Sequence, residues 1–190
     1  MSSLSRDEVL FWSKKYDQEE DLYNAGLEET LGDKLRRTKE LTMDDLVQIM
    51  RWKFQGRLAG RQGIMLKHIF SSSADFVRRT STEAFNEEGD CARLKKLMGR
   101  YGGIKGVGLA VASVIWTFYD PSSYGVYDIH AWREFFGKEP RNLFSSFGNL
   151  MKFLSELREE ARRLNLNARV VEKAYFKKNL DASKRELRCS

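Results

Sequence analysis

Apolar residues recur along this chain at intervals of three and four, the period that lines one face of a helix, and no long stretch alternates with period two. The pattern predicts an all-α fold. A first helix is expected from Arg6 to Lys15, with Val9, Leu10 and Trp12 as its apolar positions; the acidic run Asp17 to Asp21 reads as solvated surface. Thr42 offers a hydroxyl cap, Asp45 can reach back to it, and Leu46, Ile49, Met50 and Phe54 mark the face of the helix that follows. A helical segment at Gly63–Phe70 gives way to the serine run Ser71–Ser73, which can stop one helix and cap the next, Ala74–Thr80. Cys91–Arg100 carries Leu94, Leu97 and Met98 at helical spacing and is expected to end at Gly102 and Gly103.

Leu109 to Phe118 is apolar almost all round, the mark of a buried helix. After it Asp120-Pro121-Ser122-Ser123 turns the chain, and a helix begins near Asp128. Two further helices fit Leu150–Leu164 and Ala168–Lys178, the second with Asn167 as its cap, and the charged tail beyond Asp181 is expected to fray. No internal repeat, low-complexity linker or domain boundary is visible.

A chain of 190 residues can bury a core as one domain or as two interleaved helical lobes. Cys91 and Cys189 lie too far apart for a metal-ligand or redox motif and read as reduced thiols. Charges interrupt the N-terminal stretch, so no apolar run reaches signal-peptide or membrane-spanning length, and an intracellular, soluble protein of cytoplasm, nucleoid or nucleus is expected. The net charge of +6 and pI near 9.3 favour a polyanionic partner without excluding a basic enzyme or a protein-binding module.

Residues 92–118 read as helix, tight glycine turn, helix. Within the turn, Gly106 and Gly108 lack Cβ atoms, so the amides around them, with Lys105 and Val107, can approach a phosphate at a helix N-terminus. Such a contact grips the backbone of a nucleic acid and ignores its bases. The same glycines would also serve a plain turn between two core helices. About twenty residues on, Val126-Tyr127-Asp128-Ile129-His130 opens a helix, and Asp128 there can be read as its N-cap alone or as a reactive carboxylate.

Taken together and in this order, Ile104-Lys105-Gly106-Val107-Gly108 and the segment around Asp128 at 119–132 resemble the helix-hairpin-helix and the Val-Asp-Thr-His segment of the base-excision DNA glycosylases. That superfamily includes endonuclease III and the adenine and 3-methyladenine glycosylases. The likeness covers about 30 residues. It implies two helical lobes with a cleft between them, double-stranded DNA as partner, and Asp128 as the catalytic carboxylate that stabilises the cationic sugar or helps water attack it. It also implies Lys105, Gly106, Val107 and Gly108 as the phosphate grip.

Two departures bear on the chemistry. Where bifunctional members carry a Schiff-base lysine, two residues after the second hairpin glycine, this chain has Ala110, which implies a monofunctional hydrolase. The tail offers only Cys189, so the four-cysteine iron–sulfur cluster of endonuclease III is missing. No cofactor is expected, apart from a monovalent cation that such a hairpin can hold through its carbonyls, and no residue cluster suggests a metal.

An extruded base needs a ring to stack on. Trp52, Trp116, Tyr119, Tyr124, Tyr127 and Trp132 are the candidates, Tyr124 and Tyr127 from the loop, with core packing the favoured reading for Trp116 and Trp132. Arg93, Lys95, Lys96 and Arg100 flank the hairpin and could extend its phosphate footprint, though a solvated helix face explains the first three equally. The mixed run Arg51–Arg61 is the candidate for a loop that fills the gap left by an extruded base. His130 could orient Asp128 or make a structural hydrogen bond. Two rival functions stand beside the glycosylase: a non-catalytic helix-hairpin-helix DNA-binding protein, and a helical scaffold whose charge is generic.

Overall fold

The computed structural model describes residues 4–19, 22–54 and 59–189, and among them it contains ten α-helices and no strand. The all-α expectation holds. The helices are α1 (Arg6–Glu19), α2 (Leu22–Thr38), α3 (Met43–Lys53), α4 (Ala59–Ile69), α5 (Ala74–Asn86), α6 (Asp90–Leu97), α7 (Leu109–Tyr119), α8 (Ile129–Phe136), α9 (Phe147–Leu164) and α10 (Ala168–Cys189). They fall into two compact units, a central one at Gly26–Tyr119 and a terminal one from the described parts of Met1–Ala25 and Asp120–Ser190.

The central unit is organised on α7, where Val111, Val114, Ile115, Trp116 and Phe118 are all buried. Each fully buried side chain of this size contributes roughly 1.5–3 kcal/mol. Trp52 of α3 meets Phe118 edge-on at 5.1 Å, and Phe85 of α5 meets Trp116 at 5.2 Å. The start of α3 is held by a reciprocal capping box between Thr42 and Asp45, and Lys34 adds an ion pair to Asp45 at 2.6 Å. Arg36 of α2 donates to the carbonyls of Phe118 and Tyr119, closing the C-terminal end of α7.

In the terminal unit α10 packs along α1, α8 and α9. The α9 stripe Leu150, Phe153, Leu154, Leu157, Ala161 and Leu164 is buried at intervals of three and four. Charged residues join α1 to α10: Lys177 pairs with Glu19 at 2.5 Å and with Asp181 at 2.6 Å, and Lys15 also reaches Asp181 at 2.6 Å.

Several element boundaries differ from the sequence reading. α1 continues to Glu19, and the acidic run supplies partners as well as surface, because Asp17 pairs with Lys173 and Glu19 with Lys177. α2 was not among the expected helices. Gly32 is needed for packing: a Cβ there would lie 2.6 Å from the Phe118 carbonyl oxygen. α6 stops at Leu97, earlier than the glycines suggested, and α10 continues past Asp181 to Cys189 where fraying was expected.

Candidate nucleic-acid interface and carboxylate

Between α6 and α7 the chain makes a 3-10 turn, Gly99–Tyr101, closed by Gly102 in the left-handed conformation. It then doubles back on itself. Ile104 N–H donates to the Leu97 carbonyl at 3.0 Å and Gly99 N–H to the Val107 carbonyl at 3.1 Å, so the turn is tied at both ends. The Lys105 amide donates to the Ser72 hydroxyl at 3.3 Å, joining it to the segment between α4 and α5.

The four expected phosphate-gripping residues differ in what they leave available. Lys105 is exposed, with its amide committed to Ser72. Val107 is buried, and its amide donates to the Ile104 carbonyl. Gly106 and Gly108 donate to no acceptor among the described residues. Gly106 has φ 85° and lies so close to α4 that a Cβ would stand 2.9 Å from Ile69 Cγ2 and 3.2 Å from the Ile69 nitrogen. Gly108 is exposed with no atom within 4 Å of its would-be Cβ. Its carbonyl accepts the Ala112 N–H at 2.9 Å, which puts it in the cap position of α7 without a capping side chain. The amides of Leu109, Ala110 and Val111 have no acceptor among the described residues and lie at the positive end of a helix dipole. A monovalent cation would draw on carbonyls of which Met98, Ile104 and Val107 already accept backbone N–H groups.

The basic residues flanking the hairpin have mixed duties. Lys96 pairs with Glu83 at 2.7 Å, and Arg93 donates to the Glu87 carbonyl while its guanidinium lies over the Trp116 ring. Arg100 and Lys95 stand over the exposed ring of Tyr101, with Arg100 also donating to its hydroxyl at 2.7 Å. Lys105, Lys95 and Arg100 are thus the better part of the expected footprint.

In the terminal unit, the Pro121 and Ser122 carbonyls accept the Arg169 and Ala168 N–H groups at 3.0 and 3.1 Å, so the loop covers the start of α10. Asp128 follows in extended conformation and caps α8, its half-buried carboxylate accepting the His130 N–H at 3.0 Å. One turn on, Arg133 makes a two-pronged contact with Glu139 at 2.6 and 2.7 Å. That contact holds the Glu139 carboxyl down at about 2 and lifts Arg133, to which the charge of Asp128 also contributes. The His130 ring turns to α10, where its Nδ1 is 3.0 Å from Asn179 Oδ1 and its edge meets Phe176. This is the structural hydrogen bond of the two readings for His130.

Five of the six candidate stacking rings are buried, Tyr124 at 1%, Tyr127 at 0%, Trp52 at 6%, Trp116 at 0% and Trp132 at 4% exposure, while Tyr119 is half-buried against Phe85 and Trp116. Tyr124 is covered by the Arg158 guanidinium, 4.8 Å from its ring. Tyr127 donates to the Leu143 carbonyl at 2.9 Å and packs against Trp132, Phe144 and Phe153, and burial pushes its phenol well above the usual range. The ring that sequence reasoning missed is Phe144, which is 49% exposed and 5.7 Å from Tyr127. It borders a recess of about 510 Å³ lined also by Ile129, Pro140, Arg141 and Leu143. The available signal was an aromatic in a turn-rich stretch that lacks helical periodicity.

Part of the expected gap-filling run, residues 55–58, lies outside the described residues. Among the described residues no group of three or more His, Cys, Asp or Glu side chains could hold a metal ion, and no helix is long and apolar enough to cross a membrane. No family model, curated protein or solved structure matches the chain.

Proposed function

We propose that this protein is a monofunctional DNA N-glycosylase, which binds duplex DNA through the hairpin and hydrolyses the bond between a damaged or mispaired base and its sugar. The observation that carries the reading is the start of α7, where the amides of Leu109, Ala110 and Val111 have no acceptor among the described residues and exposed Lys105 and Gly108 precede them in the chain. Helix starts of this kind are suited to a phosphate. The chemistry falls to Asp128: as an ionised carboxylate it stabilises the positive charge that builds on the sugar as the base departs, or takes a proton from the attacking water. Arg133 lies close enough to feel the charge of Asp128, and Ala110 supplies no amine for a Schiff base. Phe144, half exposed at the recess that Ile129 also lines, offers a ring on which an extruded base can stack.

The burial of Tyr124, Tyr127, Trp52 and Trp132 favours a second reading, a DNA-binding protein that keeps the hairpin without the excision. A panel of duplexes, each carrying one lesion or mismatch and scored for released base, separates the two. Release from any member supports the enzyme. Binding to all with release from none supports the binding protein.

A further inference from the structure

We infer that the terminal unit contains a second anion site, a phosphate-binding groove between the loop after α7 and the junction of α9 with α10. It goes beyond the glycosylase reading and does not depend on it. The groove has a volume of about 640 Å³, and its polar lining consists of Arg158, Arg162, Ser122, Ser123, Asn165 and Asn167. The lining residues carry two guanidiniums and four neutral hydrogen-bonding side chains, and no Asp or Glu is among them. The loop's own carboxylate, Asp120, accepts the Ser122 amide and hydroxyl.

Basic residues at the end of a helix ordinarily serve its carbonyls. Here that duty is already filled. Asn165, in the left-handed conformation, donates its N–H to the Ala161 and Arg162 carbonyls, and Leu166 donates to Ala161 as well. The neighbouring Arg163 is bound to Glu160 and to the Leu4 carbonyl, whereas Arg162 is exposed and its side chain has no ion pair or hydrogen bond among the described residues. Arg158, one turn earlier on the same face, is held in place by its Nε bond to the Ser123 carbonyl at 2.7 Å and by the Tyr124 ring. A fixed guanidinium beside a second, unpaired one is the donor arrangement that a tetrahedral oxyanion with several acceptor oxygens matches. The ligand class is therefore a phosphate, in a nucleic-acid backbone or on a small phosphorylated molecule.

The test uses the full chain, titrated separately with inorganic pyrophosphate and with a short plain duplex. It follows the arginine Nε–Hε and Asn167 amide signals by NMR and measures affinity for wild type and Arg162→Gln. At least one ligand should move the signals of Arg158, Arg162 and Asn167. Arg162→Gln, with no bond to lose, should keep its melting temperature and weaken that ligand on the order of tenfold, the effect of one charge-assisted contact. Movement with pyrophosphate alone assigns the groove to a small phosphorylated molecule; movement with duplex assigns it to a nucleic-acid backbone. Duplex binding that moves only hairpin signals and is unchanged in Arg162→Gln, with pyrophosphate silent, overturns the groove while leaving the DNA reading intact. Silence of the groove toward both ligands overturns it as well.

Discussion

Replacing Gly108 with serine sets the two meanings of the hairpin against each other, because stability and binding should move in opposite directions. The site has open space for a Cβ and no positive φ, so the side chain enters without strain. Its hydroxyl can cap an amide of α7, a gain of a few tenths of a kcal/mol over glycine, and the loss of glycine's freedom in the unfolded chain adds about 0.4–1 kcal/mol. A net gain of roughly 1 kcal/mol should raise the melting temperature by about 2–4 °C in a chain of this size. If those amides bind a DNA phosphate, the hydroxyl now competes for them. Losing one hydrogen bond to a charged group costs about 1.5–3 kcal/mol, or on the order of ten- to hundredfold in affinity, equally for plain and lesion-bearing duplex. Thermal melts and fluorescence anisotropy on one preparation measure both. A more stable Gly108→Ser that binds duplex as tightly as wild type would refute the reasoning and leave the hairpin a structural turn. Gly106 cannot serve for this test. Its φ of 85° and its approach to Ile69 mean that even alanine should cost roughly 2 kcal/mol in folding, from left-handed strain and crowding together.

Borohydride added during turnover should trap no covalent adduct, since Ala110 stands where an amine would attack, and base release should leave an abasic strand that breaks only in alkali; efficient trapping would point to another lysine, Lys105 first. Acid should weaken the terminal unit. Hydrogen bonds from Arg163, against the opposing effect of burial, hold the Glu160 carboxyl below its ordinary value, and for Asp181 the bonds from Lys15 and Lys177 outweigh a larger upward push from burial. Both folded values are depressed, so the stability they contribute is present above the unfolded carboxylate range and is lost as pH falls through the folded values. The melting temperature should therefore drop below about pH 4, with a shallower drop in Glu160→Gln; identical acid limbs in the two proteins would exclude Glu160 as a source.

Much of the helical frame was legible because local forces set it. The capping box at Thr42 and Asp45, the all-apolar α7 and the stripe on α9 are written in short-range spacing, and each forms as read. What escaped was set by distant partners. α2 went unread, and its Gly32 is matched to the distant Phe118 carbonyl, which fills the space where a side chain would be. Tyr124 sits in a loop and read as a candidate for stacking on a base, yet Arg158, far along the chain, covers its ring. Lys96 read as surface cation, but Glu83 on another helix takes its charge. The division into units left no compositional mark, because one boundary falls inside α2 and the other at the end of α7. Of the candidate site, residue types and order were visible in the sequence, while the identity of the open amides and of the exposed ring required the fold.

The catalytic role of Asp128 is tested most directly by single-turnover base release from Asp128→Asn, measured beside wild type on a duplex that wild type processes, with affinity determined on the same samples. Asparagine caps a helix about as well as aspartate and can still accept the His130 N–H, so folding and duplex affinity should be retained. It has no negative charge for the sugar cation and is a far weaker base toward water. Base release should fall by several orders of magnitude. Release at the wild-type rate from a folded, DNA-binding Asp128→Asn would show that Asp128 is a helix cap and that the chemistry lies elsewhere.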